Sequence, residues 1–282
     1  MANDNTNQNR PQSPLRLERL SHPQVADYLS VSDVAIVPCG ATEQHGGHLP
    51  LGVDAMTAIA VAHDAADQEQ VVVTPPLWFG WSPHHMGFPG TVSVRAETLT
   101  ALATDVATSL IHHGFRRVIF VNGHRLANLP PLAVASTQVR AATGALVIIA
   151  DLAHLAQPEY AHALEREGAG GIGHADGYET AQMMHLHPDL VHPEAITAPK
   201  PQGADHPTMR AIDPSYASSR VGWWPSTEAE LVASGDGASG DPGWGTPERG
   251  AVLHGAMVRD LRTLIQQART APVQVHTPRA SA

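Results

Sequence analysis

The sequence predicts an α/β fold: three layers, α/β/α, around a mostly parallel sheet. Three observations carry this reading. Short apolar runs alternate with longer helical patterns between residues 33 and 151. The runs end at Gly, Pro or Asn, as buried strands do. Ligand-type side chains gather directly after two of the runs, where parallel sheets covered on both faces bind their ligands.

The elements come in order. DVAIVPCG (33–40) reads as a buried strand stopping at a turn. VVVTPPLWFG (71–80) opens as a second strand and is broken by two prolines. Residues 95–113 show helical spacing through Leu99, Leu102, Val106 and Leu110. Ser93 is the expected N-cap and Gly114 the C-terminal glycine. RRVIFVNGH (116–124) is a strand running into Asn, Gly and His. A helix is expected over 130–142, with both prolines in its first turn. ALVIIAD (145–151) is the next strand, and 158–167 and 177–187 read as helices. Residues 188–247 are rich in Pro, Gly and Ser, and 248–269 form a terminal helix. No internal repeat or composition break divides the chain. A single domain is expected over 15–270, between tails at 1–14 and 271–282.

The chain carries a net charge of -10, which excludes the electrostatic footprint of a nucleic-acid or anionic-membrane binder. A single cysteine, Cys39, leaves no internal disulfide and fits a reducing compartment. No apolar run reaches the ~18 residues of a membrane span. MANDNTNQNRPQSP lacks the apolar core of a secretion signal, so a disordered tail and a cytoplasmic location are expected. Histidine is the outlier: 18, against 17 Lys and Arg together.

The stretch ATEQHGGHLPLGVDA (41–55) places Glu43, His45, His48 and Asp54 within a dozen residues. Glu43 and His45 flank Gln44, so an extended backbone aims both to one side. Carboxylate with imidazole suits Zn, Mn or Fe, and a carboxylate can bridge two ions. The plainer reading is a polar loop in which Asp54 caps the following helix. His48 is placed to orient a ligand from behind. His124, in VNGHR at the end of an independent strand, should reach the same rim as Glu43; alternatively it is a turn histidine bonded to backbone.

A third cluster, GAGGIGHADGYET (168–180), holds His174, Asp176 and Glu179. Its literal G-x-G-x-x-G follows a helical stretch and not a strand, so it is read as a loop bringing His174 to the rim. Glu179 falls in the first turn of the next helix, where it would also offset the helix dipole. The pairs His84-His85, His112-His113 and His185/His187 sit at no matched strand end and carry less weight. Trp223-Trp224 fits a pocket wall or a packed core. Cys39 reads as a small buried strand-end residue. No G-x-S-x-G elbow or P-loop is present.

PCGATEQHGGHLPLGVDA resembles the signature of the creatininase (creatinine amidohydrolase) family. FPGTVS, VNGH, GHADGYETAQMMHLHPDLV and GDPGWGTPERG resemble further blocks in the same order, across about residues 33–265. The resemblance implies a three-layer α/β fold, a homo-oligomer (often a hexamer) and a binuclear site hydrolysing C–N bonds of cyclic or linear amides. It assigns Glu43, Asp54 and His124 to one ion, and His45 with bridging Asp54 to the other. The family glutamate that completes the second set, two residues after the NGH histidine, is Leu126 here. Glu179 is the candidate replacement. His174 aligns with the proton-moving histidine.

Other positions depart from the family pattern. NGHGGN is here NGHRLAN, HAGExET is HADGYET, and the tryptophan that packs on creatinine is replaced by Gly170. Creatinine is therefore not the expected substrate, and Arg125 is suited to a carboxylate or phosphate. The expected function is a metal-dependent amidohydrolase using a metal-activated water on a small amide, cyclic or anionic. Two divalent ions (Zn, Mn or Fe) serve as cofactors. His174 and Glu179 are the catalytic residues, and Glu43, His45, Asp54, His124 and Glu179 the metal ligands. Arg125, Asp176 and Tyr178 are expected at the substrate. A deformylase, a small-peptide peptidase, a lactone hydrolase and a non-enzymatic metal-binding protein are the alternatives.

Overall fold

The computed structural model describes residues 14–166, 173–199, 227–233 and 235–274, with the side chains of 126, 161 and 164–166 left out. Most of both tails, the glycine run with Gly170, and Trp223-Trp224 lie outside the described residues.

Four parallel strands, β1 (Val34–Cys39), β2 (Val72–Val73), β3 (Arg117–Asn122) and β4 (Leu146–Asp151), pair in the order β2-β1-β3-β4. The alternation of side chains along each strand feeds two cores. Val34, Ile36, Ile119 and Val121 face one side. Ala35, Val37, Val118 and Phe120 face the other. The first side is covered by α2 (Val53–Glu69), α5 (Gln157–Arg166), α6 (Gly177–Leu186) and α8 (Pro247–Thr270). The second is covered by α1 (His22–Leu29), α3 (Ala96–His113) and α4 (Arg125–Thr143). This is the expected α/β/α sandwich. Four alanines of α2, at 58, 62, 65 and 66, are buried against the sheet, so a core short of aromatics packs by close approach of small side chains.

Strand β2 pairs over two residues only, broken as expected by Pro75 and Pro76, which supply no N–H to a ladder. Two helices differ from the sequence reading. Helix α3 starts at Ala96 behind Arg95, with no side-chain cap. Ser93 instead accepts the backbone N–H of Ser82, 2.8 Å away. Helix α4 starts at Arg125, five residues earlier than expected, and carries Pro130 and Pro131 inside it. Its first turn is held by the Asn122 amide, which donates to the carbonyls of His124 (3.0 Å) and Arg125 (3.3 Å). The described part of the irregular region contains 3-10 turns and a short helix, α7 (Glu228–Ala233).

The strand register aligns the ends of the sheet. Cys39 pairs with Asn122, and Asn122 with Asp151, so β1, β3 and β4 end level with one another. The loops after β1 and β3 therefore emerge side by side.

Candidate metal centre

Both of those loops press on the start of α2. A Cβ on Gly40 would stand 2.3 Å from the Ala55 nitrogen, and one on Gly123 2.1 Å from the Asp54 carbonyl oxygen. Only glycine permits that approach. Asp54 lies in the first turn of α2, whose N-cap is Gly52. Its carboxylate thus does not cap the helix but faces the ends of β1 and β3.

Around Asp54 the expected ligands converge. Its Oδ2 lies 3.2 Å from His124 Nδ1, and its Oδ1 3.4 Å from His45 Nε2. Glu43 Oε1 is 3.3 Å from His124 Nδ1, and Glu179 Oε2 is 3.7 Å from His45 Nε2. Glu43, Asp54 and His124 form one group able to hold an ion; His45, Asp54 and Glu179 form another. Asp54 belongs to both. Glu43, His45 and His174 form a third such group, with His174 Nδ1 3.7 Å from Glu43 Oε1.

The donor atoms are oriented from behind. His45 Nδ1 donates to the Glu43 carbonyl (3.1 Å), turning Nε2 to the centre. His124 Nε2 faces the Trp81 carbonyl (3.3 Å) and Ser82 Oγ (3.2 Å), turning Nδ1 inward. His174 Nε2 donates to the Gln44 carbonyl, leaving Nδ1 toward Glu43. His48 reaches no ligand; its Nε2 bonds Thr180 Oγ1 at 3.0 Å and ties the loop to α6 beside Glu179. The expected contact that would orient a ligand is thus replaced by one to α6.

Burial makes the charges here costly unless matched. Burial works against the charge on Glu43, but the imidazoles of His124 and His85 hold its carboxyl well below the usual range. Burial likewise opposes charge on His45, yet Glu179 and Asp54 outweigh it and raise the imidazole to about 10. Burial lifts the Glu179 carboxyl to about 8 against the pull of His45. His174 is depressed to about 4 by burial and by His45. Protons on His45 and His124 thus supply the positive charge that the carboxylates require.

Divalent cations fit this donor set better than protons do. Both Glu43 oxygens, Asp54 Oδ2 and His45 Nε2 are buried without a hydrogen-bond partner. Four unsatisfied polar atoms in one buried cluster are expensive. Hard and borderline cations such as Mn and Zn take this mixture of carboxylate and imidazole.

Two residues expected at the substrate are turned elsewhere. Asp176 is the N-cap of α6, and its carboxylate accepts the N–H groups of Gly173, Tyr178 and Glu179. Tyr178 is buried in the core, its ring 4.7 Å from Tyr160 and 5.2 Å from Trp244. Arg125 stays at the rim, its Nε 3.8 Å from Asp151 Oδ2, with Nε and Nη1 buried and without a hydrogen-bond partner.

The sequence reading gives His85 too little weight. It sits in a 3-10 turn, Pro83–His85, which no strand or helix pattern marks. Its ring lies 4.2 Å from that of His174, and its Nε2 3.6 Å from Glu43 Oε2. Asn128 is an omission. It donates to the Gly40 carbonyl and accepts the Trp81 N–H, joining the β1 end to the loop that carries Ser82 and His85.

The family described as creatininase, creatinine amidohydrolase, matches residues 18–265. Among relatives, a 3-dehydro-scyllo-inosose hydrolase of Thermotoga maritima is 30% identical over 64% of this chain; the match spans 58% of that protein's length. A creatinine amidohydrolase of Pseudomonas putida is 30% identical over 62% of this chain and 69% of its own. A mycofactocin precursor peptide peptidase of Mycobacterium tuberculosis is 31% identical over 82% of this chain and 84% of its own. A crystal structure of creatinine amidohydrolase superposes with a TM-score of 0.72 at 26% identity, covering 92% of this chain and 100% of the other. Other solved creatininases of similar fold include forms described as Mn and as Zn-Zn.

Proposed function

The chain belongs to the creatininase family, and on that premise we propose that it is a binuclear metal-dependent amidohydrolase. The observation that carries this reading is that buried, unpaired donor atoms of Glu43, His45 and Asp54 fall in adjacent ligand-type groups joined through Asp54. Glu43, Asp54 and His124 would hold one ion, and His45, Asp54 and Glu179 the other. Zn, Mn or Fe held there would polarise a scissile carbonyl and acidify water towards neutral pH.

The chain's own residues supply the rest. His174 is kept neutral by burial, with Nδ1 turned to the cluster and Nε2 anchored on the Gln44 carbonyl. It takes a proton at Nδ1 and passes it to the leaving nitrogen. Glu179, whose carboxyl burial raises in the metal-free site, gives up its proton to serve as a ligand. Arg125, with two buried N–H groups lacking hydrogen-bond partners, orients a carboxylate or phosphate of the substrate. A small anionic amide is therefore the proposed substrate class. A cytoplasmic location and a homo-oligomer, hexameric by resemblance, complete the proposal; light scattering tests the latter. Among the described residues no helix is long and apolar enough to cross a membrane.

One observation favours a second reading. The mycobacterial peptide peptidase matches over more of this chain than the creatinine and inosose hydrolases do. The C–N bond could then belong to a small peptide.

Elemental mass spectrometry of protein purified without a metal-affinity tag or chelator tests the proposal. About two transition-metal ions per chain are expected for a bridged hydrolytic centre. A chain that holds none, and takes up none from added Zn or Mn, overturns the proposal.

A further inference from the structure

His85 stands outside all three ligand-type groups, yet it is 3% exposed and faces a ligand. Its tautomer is set by the amide of Gln44. Gln44 Oε1 accepts the Gly46 N–H at 2.8 Å, and an N–H can only donate. Gln44 Nε2 faces the Gly237 carbonyl at 3.2 Å, and a carbonyl can only accept. The amide therefore has one orientation. Its Nε2 also lies 2.8 Å from His85 Nδ1 and donates to it. Nδ1 is then the acceptor nitrogen of a neutral ring, and the proton is on Nε2. Nε2 faces Glu43 Oε2 at 3.6 Å, within ion-pair reach and beyond a hydrogen bond. The ring cannot swing freely, because it lies between His84 and His174, each 4.2 Å from it between centroids.

The two oxygens of Glu43 consequently face different partners. Oε1 looks toward His124 Nδ1 and His174 Nδ1. Oε2 looks toward His85. We propose that His85 is a positioning residue: Gln44 fixes its tautomer, and its Nε2–H, 3.6 Å from Glu43 Oε2, draws that oxygen electrostatically so that Oε1 is presented to the metal. This role rests on the proposed binuclear centre. Ligating carboxylates are commonly held by such donors, and losing the donor costs about 10–100-fold in metal affinity. Gln44 thus serves twice, its carbonyl anchoring His174 and its side chain setting His85.

The test compares His85→Leu, His85→Gln and Gln44→Glu with wild type, titrating Zn against a chromophoric chelator. Thermal unfolding of the metal-free proteins is followed alongside. His85→Leu removes the donor and should weaken binding of one ion about 10–100-fold. His85→Gln retains an amide donor and should recover part of the loss. Gln44→Glu replaces the donor to Nδ1 by an acceptor, drawing the proton to Nδ1, and should weaken binding as His85→Leu does. A merely structural role predicts lower unfolding temperatures with no such ranking in affinity. Wild-type affinity in both His85→Leu and Gln44→Glu overturns the proposal and leaves the metal centre standing. A wild-type protein that binds no Zn overturns both.

Discussion

His45 Nε2 lies 3.4 Å from Asp54 Oδ1, and both side chains are almost completely buried. The other Asp54 oxygen faces His124 at 3.2 Å, so one carboxylate joins two ligand groups. Asp54→Asn removes the charge common to both. Metal content should fall from about two ions per chain to well below one. Elemental analysis checks this, and full metal in the variant removes Asp54 from the centre.

His174 predicts a different outcome. It belongs to neither of the two groups that share Asp54. His174→Ala should keep its metal while kcat drops about 10²–10⁴-fold, the usual size of a lost proton-transfer group. Metal content and steady-state kinetics on the same preparation separate the two effects. Metal lost together with activity would make His174 a ligand.

Metal uptake should strengthen with pH. Without metal, Glu179 and Asp54 overcome burial to raise His45 to about 10. Glu43 and Asp54 similarly raise His124. Both imidazoles are then protonated at neutral pH, and a cation must displace those protons. Affinity should rise up to about tenfold per pH unit for each proton released. Calorimetry between about pH 6 and about pH 8, in buffers of different ionisation enthalpy, counts the protons. A flat affinity with no proton release contradicts the ligand assignment.

Arg125 should act on substrate choice. Arg125→Ala should reduce kcat/KM for an anionic amide about 10–100-fold, the worth of a hydrogen bond to a charged group, and leave a neutral analogue nearly unchanged. Equal losses on both substrates would place Arg125 in the scaffold, through Asp151.

Gly123→Ala should destabilise the fold and damage the centre together. The added methyl would meet the Asp54 carbonyl at 2.1 Å. Overpacking of this kind costs about 1–3 kcal/mol, and backbone has little room to yield. Thermal unfolding and metal content should fall in step; a variant with wild-type values in both denies that the β3 turn positions Asp54.

The legible parts of the molecule are those set by local pattern. Apolar runs ending at Pro-Cys-Gly and Val-Asn-Gly announce β1 and β3, and the ligand-type residues behind them come with the strand ends. The resemblance to a known family adds Asp54 as the shared ligand, and the missing family glutamate at Leu126 directs attention to Glu179. His85 is not legible, because a turn held by Ser93 and Asn128 delivers it, through contacts that span 11 and 47 residues and follow no helix or strand period. Gln44 reads as a spacer, since alternation turns it away from Glu43 and His45; that same alternation aims it at His85. Asp176 reads as a site residue because an acid beside a ligand-type histidine resembles one, whereas capping α6 occupies it. The early start of α4 is hidden by its prolines, which argue against helix unless a side chain such as Asn122 holds the first turn.

The backbone at Gly237 and the hydroxyl of Ser239 steady Gln44 and His174 across gaps of 193 and 65 residues. Synthesis runs from the N-terminus, so Glu43, Asp54 and His124 leave the ribosome long before that brace exists. A nascent chain stopped ahead of Glu179 already contains every ligand of one group and lacks one ligand of the other. In the proposed binuclear centre the group that needs Glu179 is therefore completed after the other, once that later residue has been made.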